Sequence, residues 1–190
     1  MNEPIFEKVL RKMRISKVLP EIKEYNNCKL LDIGCGWDAK FLKSIEKYIS
    51  FGVGVDFKAP DIKSDKLKTI NLTITDTLPF DNESFDVVTM LAVLEHLEYP
   101  LEILNEINRV LKKGGVLILT VPSVWSQPIL EFLAFKLGVI NKNEILDHKL
   151  YHNRLSIEFF ARKSDFIVKK HKYFQFYMNN FAVLLKNENI

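Results

Sequence analysis

The feature that most limits the fold is a short apolar run broken by glycine. Lys29-Leu30-Leu31-Asp32-Ile33 has the length of a buried strand, and Gly34-Cys35-Gly36 follows it at once. Residues 38–48 then place Phe41, Leu42, Ile45 and Tyr48 at helical spacing. The apolar run recurs over Phe51–Phe57, residues 67–74, Phe85–Met90 and Val116–Val121. An amphipathic helix is predicted over 98–112, on Leu101, Leu104, Ile107, Val110 and Leu111, with Gly114-Gly115 as its stop. Near-continuous apolar strands alternating with helices indicate a parallel sheet covered on both faces. Two more strands are expected at Phe166–Val168 and Asn180–Lys186, one of them antiparallel. The N-terminus reads as a helix over 4–19, with Ile5, Phe6, Val9, Leu10 and Met13 on one stripe and Pro20 stopping or bending it. Residues 127–160 read as mostly helical. The fold class is therefore α/β, a doubly wound, mostly parallel seven-stranded sheet with a late antiparallel strand. One domain is expected: an N-terminal helical segment (1–26), a ligand-binding core (28–122), a helical cover (123–165) and terminal strands (166–190).

Composition supports a globular chain. It has 190 residues, 47% hydrophobic and 27% charged, enough for one real core. A net charge of +3 does not by itself argue for nucleic acid. The last third is richer in base than acid and holds His148, His152 and His171. That is either a solvated surface or a patch that attracts an anionic substrate or a membrane surface. Cys28 and Cys35 show no metal-ligand spacing, so no metal is expected and a reducing compartment is the simple reading. No signal-peptide core is visible, and the richest apolar stretch, 129–140, is short and interrupted by Glu131 and Lys136. A cytoplasmic location is expected, with peripheral membrane contact open and oligomeric state unread.

The glycine turn gains meaning from three acids at successive strand ends: Asp32, Asp56 and Asp76. Ligands of such sheets bind at the carboxyl ends of the strands, where strand order reverses. Gly34 permits a tight turn, and Gly36 lets backbone approach a ligand. A carboxylate at Asp56 can accept from both hydroxyls of a ribose, and Asp76 from the exocyclic amine of an adenine. S-adenosylmethionine carries a sulfonium, an ammonium and one carboxylate, so its charge suits these acids better than that of a dinucleotide does. Asp32 would face the ammonium. A dinucleotide fingerprint also wants a third glycine where Asp38 and Ala39 stand. The plainer readings are that Asp32 and Asp56 cap the following helices and that Asp76 makes an Asx turn before Pro79.

The runs LLDIGCG (30–36), GVD (54–56), TDTLPFDNESFDVVTMLAVLEHL (75–97) and RVLKKGGVLILTVP (109–122) together resemble the class I S-adenosylmethionine-dependent methyltransferases. The resemblance is closest to the "methyltransferase domain 11" branch, which includes ubiquinone- and menaquinone-biosynthesis-type enzymes. It covers residues 28–122 and implies a Rossmann-like fold, S-adenosyl-L-methionine as cofactor and S-adenosyl-L-homocysteine as product. It implies that Gly34, Cys35 and Gly36 wrap the methionine portion and that Asp56 binds ribose. Phe57 would stack near the adenine, and Asp76 and Thr77 would read its edge. Met90, Leu91 and Ala92 would lie along the cofactor, and Glu95-His96, opening the next helix, near the acceptor. Trp37-Asp38 departs from the family, which usually has a small residue and a third glycine there. Asp38 is read instead as a cap, and Trp37 as a cover over cofactor or core edge.

Transfer from a sulfonium is an in-line displacement with a good leaving group already present, so the protein's task is alignment and water exclusion. Base candidates are His96, His148 and His152, each with a plain surface or capping alternative, and an acceptor that needs no base stays open. Trp125, Phe132, Phe135, Tyr151, Phe159 and Phe160 make 123–160 aromatic, as either a packed cap or a lid over a hydrophobic or lipid-linked acceptor. Trp125 and Tyr151 are the candidate acceptor contacts beside Glu95 and His96. The expected reaction is methyl transfer to a small-molecule, lipid or glycan-precursor acceptor, with no nucleic-acid partner. A non-catalytic cofactor-binding module and an NAD(P)-dependent oxidoreductase are the alternatives.

Overall fold

The computed structural model describes residues 5–75, 77–129 and 150–187. Seven strands form one sheet: β1 (Lys29–Ile33), β2 (Phe51–Asp56), β3 (Leu67–Asn71), β4 (Phe85–Leu91), β5 (Leu111–Pro122), β6 (Phe166–Phe174) and β7 (Asn179–Lys186). Their order is β3-β2-β1-β4-β5-β7-β6. The first five pair in parallel, and β7 runs antiparallel to both β5 and β6. The order reverses between β1 and β4, so a crevice opens at their carboxyl ends.

The apolar runs are continuous because both faces are covered. Leu31, Ile33, Val88, Met90, Leu117 and Leu119 point to one side, where they meet Ile103, Leu104 and Ile107 of α3 (Pro100–Val110) and Ile157 and Ala161 of α4 (Arg154–Lys163). Their neighbours Leu30, Val87, Val116 and Ile118 point to the other. There they meet Val18 and Ile22 of α1 (Ile5–Lys23) and Leu42 and Ile45 of α2 (Lys40–Ile45). Each fully buried Leu, Ile or Val contributes roughly 1.5–3 kcal/mol.

Several expected boundaries move. Pro20 lies inside α1, which continues to Lys23. Val18 and Ile22 are fully buried on either side of it, and Glu21 Oε1 meets Lys170 Nζ of β6 at 2.7 Å. Pro20 has no N–H to offer the Ser16 carbonyl, and both residues lie on the exposed side of the helix. The anchoring stripe is thus Val18 and Ile22, while Val9 is exposed. α3 ends at Val110 and β5 begins at once, so Gly114 and Gly115 sit in the strand instead of capping the helix. A Cβ at Gly115 would lie 2.8 Å from Lys112 O and 3.0 Å from Asp86 O. The close backbone passage, with Lys112 Nζ on Asp86 Oδ1 at 2.8 Å, explains the glycine there. β3 stops at Asn71, short of 74, and β6 runs on to Phe174. Glu95-His96 belongs to a single 3₁₀ turn, Leu94–His96, and the helix proper starts at Pro100. Within 127–160, α4 covers the last part, and the helical reading of 130–149 lies outside the described residues, with Phe132, Phe135 and His148. No helix among the described residues is long and apolar enough to cross a membrane.

Candidate active site

The glycine loop is lashed to the strand beside it. Gly34 and Cys35 N–H both donate to Val55 O, at 2.8 and 3.1 Å, and Gly36 N–H donates to Asp56 Oδ2 at 3.0 Å. Asp56 Oδ1 accepts Lys58 N–H at 2.8 Å, which fixes the carboxylate at the end of β2. Gly34 and Gly36 both have positive φ, 77° and 74°. A Cβ on Gly34 would lie 2.3 Å from Val93 Cγ2, whereas a Cβ on Gly36 would meet no heavy atom within 4 Å. Gly34 is therefore needed for packing, and Gly36 lines open space. The Cys35 side chain turns inward, 2.9 Å from where a Cβ of Gly54 would be, and burial pushes its thiol up to about 12. Cys35 thus offers backbone to a ligand, not sulfur.

Asp32 lies beneath this loop, 2% exposed. Thr89, its register partner on β4, donates to Asp32 Oδ1 at 2.7 Å. Burial raises the Asp32 carboxyl to about 7, opposed by that hydrogen bond and assisted by the charge of Asp56. Among the described residues no lysine or arginine forms an ion pair with Asp32 or Asp56. Two uncompensated acids beside an open glycine backbone suit a ligand that brings positive charge and little bulk.

The Trp37-Asp38 departure resolves into a local device. Asp38 Oδ1 accepts Lys40 N–H at 3.2 Å and Oδ2 pairs with Lys40 Nζ at 2.7 Å, so Asp38 supports the start of α2. Ala39, at the third-glycine position, takes φ 49°, the left-handed conformation a glycine would adopt freely. Trp37 is 68% exposed with Lys40 Nζ over its ring at 5.4 Å, so it covers no core edge.

The loop after β3 is held by a clamp that sequence reasoning missed. Arg109 of α3 donates from Nη1 to Phe80 O and Asn82 Oδ1, both at 2.8 Å, and from Nη2 to Leu78 O at 3.0 Å. Glu106 Oε2 accepts Leu78 N–H at 2.8 Å. This fixes the chain immediately after Thr77, which is exposed at the rim; Asp76 lies outside the described residues. Phe57 is 60% exposed, at the same rim. Met90 is fully buried in the core, so its side chain cannot line a cleft, whereas Leu91 and Ala92 are half-buried at the strand end.

Glu95 is fully buried, with Oε2 lacking a partner. Burial raises it to about 7, against the pull of Arg14 from α1, another residue the sequence did not single out. His96 is half-buried next to it. His152 sits apart, bridged to Ser123 just beyond β5, and its carbonyl accepts Asn180 Nδ2 at 2.9 Å. Burial lowers its imidazole to about 4, which makes it a weak base. Tyr151 is half-buried, and Trp125 is 64% exposed. Among the described residues no group of His, Cys, Asp and Glu is placed to hold a metal.

Residues 31–119, the span from the glycine loop to the end of the β5 core, match the methyltransferase domain family. Over this span the chain carries a methyltransferase domain. It is 32% identical over 160 residues to an uncharacterized protein of Methanocaldococcus jannaschii, covering 84% of this chain and 61% of that one. It is 32% identical over 123 residues to a demethylmenaquinone methyltransferase of Staphylococcus saprophyticus, 60% of this chain and 52% of that one. The chain thus spans about half to three fifths of these relatives. A solved complex between the Haloferax volcanii Trm112 methyltransferase activator and a methyltransferase shares the fold, with TM-score 0.70 at 16% identity over 86% of this chain and 84% of that one. S-adenosylmethionine is the cofactor that goes with this methyltransferase family. The residues present fit it: Gly36 leaves the space, and Asp32 and Asp56 supply carboxyl groups paired with no lysine or arginine among the described residues.

Proposed function

We propose that the chain binds S-adenosylmethionine at the Gly34–Gly36 loop and transfers its methyl group to a small apolar acceptor. The observation that carries this reading is the buried Asp32 carboxyl, held by Thr89 under an open glycine loop and paired with no lysine or arginine among the described residues. When bound, the cofactor supplies a methyl group on a sulfonium that is already a good leaving group. The chain's part is placement. Asp32 offers charge to an ammonium, Gly36 backbone leaves room for the methionine portion, and Asp56 keeps lone pairs for ribose hydroxyls. Thr77 and Phe57, exposed after β3 and β2, are the residues we assign to the adenine. Leu91 ends β4, and Ala92 and His96, both half-buried just after it, are the residues we assign to the acceptor side. His96 is the group we assign to take a proton there, with the buried Glu95 beside it.

The apolar nature of the acceptor is supported by the exposed Trp125 and Phe159 and by likeness to the demethylmenaquinone methyltransferase. Calorimetric titration with S-adenosylmethionine and with NAD tests the cofactor, and radiolabelled methyl transfer into a lipid extract tests the reaction. Tighter binding of S-adenosylmethionine is expected. Asp56→Ala should weaken it by roughly 10- to 100-fold, the worth of one charged hydrogen bond. Preference for NAD, or binding with no label in any extract, overturns the reading.

A further inference from the structure

We propose that the rim formed by the β6–β7 turn and α1 is a docking surface for an anionic lipid bilayer. The inference adds to the methyl-transfer reading a source for an apolar acceptor, and rests on that reading only there.

The turn is built at a cost. Gln175, Phe176 and Tyr177 all have positive φ, 51°, 56° and 66°, and Met178 N–H closes the turn on Gln175 O at 3.1 Å. Asn-Gly takes such a central pair at ease, whereas bulky side chains rarely do. Neighbours hold the strained turn in place. Gln175 Nε2 donates to Leu10 O of α1 at 2.8 Å and its Oε1 accepts Asn179 Nδ2 at 2.6 Å. Ser123 donates through N–H to Met178 O at 2.9 Å and through Oγ to Tyr177 O at 2.5 Å. Such over-determined strain marks function more often than packing. The rings stay largely in water: Phe176 is 92% exposed, Tyr177, tilted against Tyr173 with 5.5 Å between ring centroids, is 66% exposed, and Trp125, two residues after Ser123, is 64% exposed.

Phe176, Tyr177 and Trp125 are thus exposed at the end of the sheet where the cofactor loop lies, since Pro122 of β5 pairs with Asn179 beside the turn. Aromatic rings of this kind settle at the headgroup level of a bilayer. The surrounding charge selects the partner. Lys8 and Lys12 flank Leu10 on α1, Lys172 lies on β6 just before the turn, and all three are exposed without an ion pair among the described residues. Exposed aromatics with exposed lysines on the two adjoining elements complement an anionic membrane.

Co-sedimentation of the full chain with vesicles, without cofactor or acceptor, tests the proposal. Binding is expected to phosphatidylcholine vesicles containing phosphatidylglycerol, weaker to phosphatidylcholine alone, and reduced by salt. The double variant Phe176→Asn, Tyr177→Gly should bind at least about ten-fold more weakly. Its melting temperature should stay level or rise, because both residues accept positive φ. Lys8→Glu with Lys12→Glu should remove the preference for anionic vesicles. Wild-type protein that stays in the supernatant overturns the proposal, as does unchanged binding by the double variant. So does a wild-type dimer in sedimentation velocity that the double variant loses, which would assign the rings to contact between copies. Failure to bind S-adenosylmethionine would sink the methyl-transfer reading and leave the vesicle result standing.

Discussion

Gly34 and Gly36 have the same backbone conformation and the same letter in the sequence, yet they do different work. At Gly34 an added methyl carbon collides with Val93 at 2.3 Å on top of an unfavourable φ. Gly34→Ala is expected to cost roughly 2–4 kcal/mol, from left-handed strain plus overpacking. At Gly36 only the strain applies, roughly 1–2 kcal/mol. Gly36→Ala should therefore unfold only slightly earlier in urea while losing most of its cofactor affinity, because its methyl group occupies the open side of the loop. Equal losses of stability in the two variants would contradict this division. Asp32 shows the same dependence on surroundings. Its place at a strand end was legible, but its near-neutral pKa arises from burial and from Thr89 across the β1–β4 pair, neither visible before the strands are ordered.

Elements depart from their local signals where tertiary contacts outweigh them. Pro20 signals a helix end, and α1 runs through it because Val18 and Ile22 are buried on either side and Lys170 holds Glu21. Gly114-Gly115 signals a helix stop, and β5 instead begins at Leu111, because the passage beside Asp86 demands glycine inside a strand. The loop from Leu78 to Asn82 has no periodicity, and its shape comes from Arg109 on a distant helix. Arg109→Ala should raise amide hydrogen exchange at 78–82, cost roughly 1–3 kcal/mol through the orphaned carbonyls, and weaken cofactor binding through Thr77. Exchange unchanged in that loop would mean that it holds itself.

For the molecule as a whole, buried titratable groups set the response to pH. Asp32 and Glu95 have folded pKa values of about 7, above the roughly 4 of unfolded carboxyls. The folded state then binds more protons between these values, so stability falls as pH rises from about 4 to about 7 and is level above. His152 works the other way. Its folded value of about 4 lies below the unfolded value near 6.5, so its contribution is lost as pH falls through that window. Two acids against one imidazole give a net loss towards neutral pH. Asp32→Asn should accordingly stabilise the free protein at about pH 8 and hardly at about pH 5, by thermal melts at both. A shift of the same size at both values would show that Asp32 does not titrate in that range.

The sequence alone determined the layer order of the fold, the glycine loop and the acids at the ends of β1 and β2. These rest on local facts: run length, turn residues and the need to cover both faces of a parallel sheet. Only the tertiary structure decided that burial raises the Asp32 carboxyl to about 7, that Cys35 and Met90 face the core, that the charge of Arg14 acts on Glu95 and that His152 is buried. It also decided that Phe176 and Tyr177 stand in the open. Each of these depends on contacts between residues far apart in the chain, and burial is a property of the assembled neighbours, so no local pattern encodes it.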